Sequence, residues 1–285
     1  MRQKIIYTNS NSESITLYHK PFILQFVEGL GGLTADTQTE KAPYQDGTTY
    51  IDTLLNDRVI AIRATISEQT DAQLETRLRK LTRVFSPKLG LGTLRYERNG
   101  IIREIKASVM STPAMPQNRS ASGIGFQETL IELLAPDPLF YDPDFVEVQL
   151  ASFEGGMTVP LTIPFTLGTL GTSVTVDNQG DVSTPLLFTL FGPLENPVLK
   201  NNTTGEEVQV NKNIQAGEKL TIFTGFGEKS VELTDTGGVT ENAFSFVTPA
   251  SKFFQLQQGE NDLEYTATSG DGDAFVKFFN RYLGV

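Results

Sequence analysis

The sequence predicts a mainly β protein of two domains: an N-terminal β-rich domain with one α-helix, then a C-terminal antiparallel β-sandwich. Three observations predict it. Short runs of alternating apolar and polar residues recur along the chain, separated by turns drawn from its 25 glycines and 14 prolines. A single segment has helical periodicity. The charge balance also changes sign midway: 16 Lys/Arg against 14 Asp/Glu up to Ala135, then 7 against 20 from Pro136. A chain of 285 residues has room for two cores.

In order, "KIIYTN", "SITLYH" and "PFILQFV" read as short strands. The polar, glycine-rich stretch that follows, Gly29 to Gly47, is too long for a plain connection and reads as a protruding arm or hairpin. "DRVIAIRATIS" alternates as a strand. "TDAQLETRLRKLTRVFSP" is the helix. Thr70 and Gln73 fit a capping box, Leu74, Leu78, Leu81 and Phe85 form one apolar stripe, and Pro87 ends it. Arg77, Arg79, Lys80 and Arg83 make the opposite face basic, a solvated or subunit-facing surface. "GTLRYERNGIIREIKASVM" is a hairpin about Asn99-Gly100, because a type I′ turn needs positive φ at both central residues. "SGIGFQETLIELLA" is a further strand. Beyond Phe145 only strand candidates follow, among them "MTVPLTIPFTL", "TPLLFTLF", "EKLTIFT", "AFSFVT" and "AFVKFFNRYL"; "SKFFQLQQG" reads as one helical turn.

"ELLAPDPLFYDPDF" stands where helix-containing sequence gives way to all-β sequence. Its prolines fix φ and hold their predecessors extended, so Pro136, Asp137, Pro138, Leu139, Phe140 and Tyr141 read as a stiff joint. The aspartates lack the spacing of a cation-binding loop. The expected division is 1–135, a joint over 136–146, and a sandwich over 147–285.

Chemistry-bearing patterns are sparse. With no cysteine and His19 as the sole histidine, zinc sites and thiol catalysis have no ligand set or base pair to draw on. No serine sits in a nucleophile frame. Glu206-Glu207 and Glu260-Asn261-Asp262 flank turns, where carboxylates are solvated. Asp271 and Asp273 lack an EF-hand frame. No catalytic residue, cofactor or metal is expected. The acidic second half is unsuited to nucleic acid, and no stretch approaches a membrane span or a secretory h-region. A sugar-binding sandwich would want exposed aromatics; the chain has no Trp, and Tyr265 and Tyr282 are the sandwich's tyrosines.

Taken together, "RVIAIRATI", "LTRVFSP", "GTLRYERNGIIREIKASV", "LLAPDPLFYDPD", "TIPFTLG", "VDNQGDVSTPLLFTLFGPLENPVLKN", "AGEKLTIFT", "LQQGENDLEYTA" and "VKFFNRYLGV" resemble, in this order, the distal tail proteins of long, flexible-tailed phages that infect Gram-positive bacteria. The resemblance implies a non-enzymatic structural protein at the distal end of a virion tail, made in the host cytoplasm. It implies a homohexameric ring built by the N-terminal domain, with rings able to pair in isolation, and an outward galectin-like or carbohydrate-module-like sandwich. Implied partners are the tail tube protein, the tape measure protein, a tail-associated fibre or lysin protein, and a receptor-binding protein. Thr34, Asp36, Thr37, Thr39, Lys41 and Tyr44 of the arm are the expected ring contacts. The galectin sugar site does not carry over, because the C-terminal half lacks His and Trp. The alternative is a tail adhesin whose sandwich itself binds cell-wall saccharide.

Overall fold

The computed structural model describes residues 3–151 and 172–285, divided into two compact units. The first comprises residues up to Pro143 together with Tyr282–Val285; the second is Asp144–Arg281. The last four residues, expected with the sandwich, thus belong to the first unit. The expected strand at "MTVPLTIPFTL" lies outside the described residues.

In the first unit the strands are β1 Lys4–Thr8, β2 Ser14–Leu17, β3 Phe22–Glu28, β4 Ala35–Glu40, β5 Thr49–Leu55 and β6 Arg58–Ser67. Helix α1 spans Asp71–Val84, and β7 Leu91–Arg98, β8 Ile101–Val109, β9 Ser122–Gly123, β10 Phe126–Ala135 and β11 Phe140–Tyr141 follow. The main sheet runs β2-β1-β7-β8-β10-β6-β3. Its strands bury every second residue: along β6, Arg58, Ile60, Ile62, Ala64 and Ile66 point inward. That period of two turns one face to the core and leaves the other at the surface. Asn99 and Gly100 both take positive φ between β7 and β8, as the Asn-Gly signal requires.

Helix α1 starts as expected, with the Thr70 hydroxyl accepting the Gln73 N–H. Leu74, Leu81 and Phe85 of the stripe are buried, and Phe85 stacks on Tyr7 with ring centroids 4.6 Å apart. Leu78 is only half buried, because the turn it occupies overhangs an open groove; Val84 takes the corresponding core place.

In the second unit, β12 Val146–Ala151, β13 Thr172–Asn178, β14 Leu187–Phe191, β15 Leu194–Glu195, β16 Val198–Asn201 and β17 Glu206–Gln209 come first. Then come β18 Asn213–Ile214, β19 Lys219–Phe223, β20 Ser230–Thr234, β21 Thr240–Asn242, β22 Gly259–Thr266, β23 Ser269–Gly270 and β24 Ala274–Phe278. One sheet runs β12-β24-β14-β19-β20-β21 and the other β13-β22-β16-β17, all antiparallel. Phe188, Leu220, Ile222, Val231 and Val276 of the first share one core with Val176, Leu199, Val208 and Leu263 of the second. This is a β-sandwich.

Two expectations in this unit are corrected. "AFSFVT" is not a strand: the Asn242 carboxamide oxygen accepts the Phe244 N–H at 2.8 Å and starts a 3-10 turn over Phe244–Phe246. "SKFFQLQQG" is not helical: Leu256 and Thr184 exchange both backbone hydrogen bonds at 3.0 Å, which holds the segment extended. In both places a nonlocal or side-chain bond overrides the local pattern.

Candidate assembly surface

The stretch read as an arm forms a two-stranded hairpin, β4 with β5, outside the main sheet. The hairpin reaches Leu55, beyond the Gly47 boundary expected from sequence, because the exposed run "TYIDTLL" pairs with β4. Every residue of both strands is exposed. Its base is closed by the Asn56 N–H donating to Thr34 O at 3.0 Å and the Asn56 amide donating to the Asp36 carboxylate at 3.3 Å. Thr37 lies opposite Thr53 and Thr39 opposite Tyr50, with a bulge between Gln38 and Thr39. Lys41 leads into the tip, where Tyr44 stands fully exposed. Tyr50, Ile51, Leu54 and Leu55 add apolar surface to the arm. Strands of six and seven residues at about 3.3 Å each give it a reach of roughly 20 Å. An isolated hairpin has no core of its own and is stable only with further cover.

The root of the arm is held by Arg58, which is 3% exposed. Its guanidinium donates to three carbonyls: Gly29 O at 2.7 Å, Pro138 O at 2.7 Å and Leu283 O at 2.6 Å. It also lies over the Phe140 ring at 4.8 Å. Burial pulls its pKa down from the usual arginine value. Gly29 has φ +86°, and a Cβ there would sit 2.1 Å from Val59 O, so the root tolerates only glycine. Nothing local in the sequence flags Arg58; its role is visible only once three distant segments converge on it.

The Pro-Asp segment packs into the first unit. Leu139 and Phe140 are buried, Pro138 and Tyr141 half buried, Pro136 and Asp137 exposed. The Asp137 carboxylate accepts the Leu139 N–H at 3.3 Å. Farther on, Asp142 pairs with Arg103 at 2.5 Å and accepts the Tyr282 hydroxyl at 3.0 Å, and Arg103 stacks over the Tyr282 ring at 3.6 Å. Tyr282, expected on the sandwich, is thus part of the first unit. Burial first, then Glu104 and Asp137, push the Tyr141 phenol up to about 12.

A second surface feature flanks α1. Leu78, Leu89 and Met115 give a groove of about 940 Å³ its apolar lining, and Glu13, Glu75, Arg79 and Arg83 give it a balanced set of charges. His19 is exposed, its ring 3.8 Å from that of Tyr18. Among the described residues no group of three or more His, Cys, Asp or Glu side chains is placed to hold a metal ion, and no helix is long and apolar enough to cross a membrane.

On the sandwich, Tyr265, Phe188 and Phe254 are buried. Phe244 and Phe253 stack in parallel at 5.4 Å with Phe244 exposed, Lys229 lies 5.5 Å above Phe253, and Phe226 projects from the β19–β20 turn.

Two family models match the chain: the phage tail protein RIFT-related domain over residues 10–135, and the siphovirus-type tail component C-terminal domain over residues 179–282. The chain belongs to the siphophage distal tail protein family. It is a structural hub protein of the tail tip, and its place is the distal end of the tail of a virion. Among solved structures, the distal tail protein of phage SPP1, described as a hub of the adsorption apparatus in phages that infect Gram-positive bacteria, superposes with a TM-score of 0.68. That match has 14% identity and covers 98% of this distal tail protein and 99% of the SPP1 chain. A chain of the phage P2 baseplate in its activated conformation with calcium matches with a TM-score of 0.53 and 10% identity over the full length of both. The strontium form matches at 0.52 and 11%. These likenesses are of fold. A search of curated proteins finds no match to the sequence.

Proposed function

We propose that this distal tail protein works without catalysis, as a homohexameric ring closed by its N-terminal unit. The observation that carries this is the Ala35–Leu55 hairpin, exposed along both strands and apolar at Tyr50, Ile51, Leu54 and Leu55. A surface of that kind is an interface in waiting, and closed rings arise when a patch on one copy meets a different patch on the next. Thr34, Asp36, Thr37, Thr39, Lys41 and Tyr44 belong to this contact, together with β5. The ring joins the tail tube and tape measure proteins to a tail-associated fibre or lysin protein. Pro136–Tyr141 is the joint before the sandwich, which serves as a docking platform for a receptor-binding protein. Light scattering of the purified chain tests the ring: a mass of six copies, or of twelve as paired rings, is expected. Replacing residues 34–56 with a short Gly-Ser turn should lower that mass. A mass that the replacement leaves unchanged would remove the arm from the ring contact.

The stacked Phe244–Phe253 pair beside Lys229 favours a second reading for the sandwich, direct binding of a neutral saccharide on an aromatic face. A glycan array probed with wild type and F244A/F253A tests it; signal that survives the double substitution would exclude this face.

A further inference from the structure

We infer that the tip of the arm docks into the groove beside α1 of a neighbouring copy, with Tyr44 as its anchor. This rests on the ring reading above and supplies the surface that receives the arm.

The tip is built around an anomaly. Gln45 N donates to Ala42 O at 3.2 Å, Pro43 and Tyr44 occupy the centre of the turn, and Tyr44 has φ +65°. This is the pattern of a type II turn, whose third position prefers glycine because a Cβ is strained there. A bulky side chain at positive φ persists where the surroundings enforce it and clusters at functional contacts. Here the Tyr44 side chain has no hydrogen bond or ring contact among the described residues, so it gains nothing from its own chain for holding that conformation. The turn is nonetheless well tied: the Gln45 amide oxygen accepts the Ala42 N–H at 3.0 Å and its nitrogen donates to the Thr49 hydroxyl at 3.0 Å. An exposed tyrosine is therefore presented in one defined place at the end of a roughly 20 Å arm.

The groove offers that tip an apolar floor and one cation outside any ion pair among the described residues. Leu78, Leu89 and Met115 offer an apolar floor in a volume of about 940 Å³, ample for Pro43 and Tyr44 together. The lining carries Arg79 and Arg83 against Glu13 and Glu75; Arg83 is paired with Glu13 at 2.9 Å, while Arg79 makes no ion pair among the described residues and is the cation offered to the tip. The arm carries Asp36, Glu40, Asp46 and Asp52 against Lys41 as its one cation, and Glu40 and Asp46 flank the tip. Aromatic anchors in pockets dominate interface energies, and complementary charge sets their register. The competing receiver, the open edge of β3, is broken by a bulge at Gln25, which disfavours strand addition.

The test uses the full chain. A photo-reactive benzoylphenylalanine in place of Tyr44 should crosslink, by mass spectrometry of the linked dimer, to residues 78–89 or 115 of another copy. Tyr44→Gly should relieve the turn, leaving the melting temperature unchanged or higher. It should also raise the concentration needed for assembly by about tenfold or more. Arg79→Glu should weaken assembly likewise, and adding Glu40→Lys and Asp46→Lys in the same chain should restore it. A wild-type ring whose Tyr44→Gly variant assembles equally well, or a crosslink to the β3 edge, would overturn this contact and leave the ring standing. A wild-type chain that stays monomeric at every concentration would overturn the ring and the contact together.

Discussion

Arg58 is a buried cation that makes no ion pair among the described residues and is held by three backbone carbonyls from segments as far apart as Gly29 and Leu283. Charge-assisted bonds of this kind are strong, and removing the donor leaves three carbonyls to find other partners. Arg58→Met is therefore expected to destabilise the protein by roughly 2–4 kcal/mol in urea unfolding. Arg58→Lys should recover only part of that, because an ammonium cannot fork to three directions. Tyr141 gives a prediction in pH. Its phenol is raised in the fold, to about 12, by burial first and then by Glu104 and Asp137. The neutral form is thus the one the fold favours. Its contribution is complete below the unfolded value near 10 and is lost as pH rises toward 12. Stability measured between pH 9 and 12 should fall more steeply in wild type than in Tyr141→Phe.

The helix and the arm are opposite kinds of element. Helix α1 was legible residue by residue: the Thr70 cap, the Leu74, Leu81 and Phe85 stripe and the Pro87 stop all act locally. Thr70→Ala should cost about 1 kcal/mol, read from the thermal transition of the first unit. The arm was visible as a long polar stretch but not as a hairpin of this length. "TYIDTLL" alternates around no core, so its pairing with β4 leaves no apolar period to read. The same absence explains "AFSFVT", where alternating aromatics imitate a strand but Asn242 bends the backbone into a 3-10 turn. Groove residues such as Met115 and Leu89 were not found at all, because nothing in a sequence says that a loop will wall a helix.

At the scale of the molecule, each unit carries its own hydrophobic core, one centred on Ile60, Ile62 and Leu133, the other on Phe188, Ile222 and Val276. The C-terminal residues Tyr282–Val285 belong to the first of these. Ending the chain at Arg281 removes the Leu283 carbonyl from Arg58 and the Tyr282 ring from Arg103. Calorimetry of that truncation should show the transition of the first unit moved down by several degrees and that of the sandwich little changed. An equal shift of both would mean that the tail's contribution is not local to the first unit.

Local pattern alone determined the mainly β class, the single capped helix, the Asn99-Gly100 hairpin and the change of character at the Pro-Asp stretch. Each depends on residues within a turn or two of one another, where periodicity and backbone sterics act directly. Tertiary structure alone decided that Arg58 gathers Gly29, Pro138 and Leu283, that Leu78 overhangs a groove, and that the arm bares Tyr44 at its tip. Those features depend on which distant segments meet and which surfaces stay uncovered, and chain order carries neither.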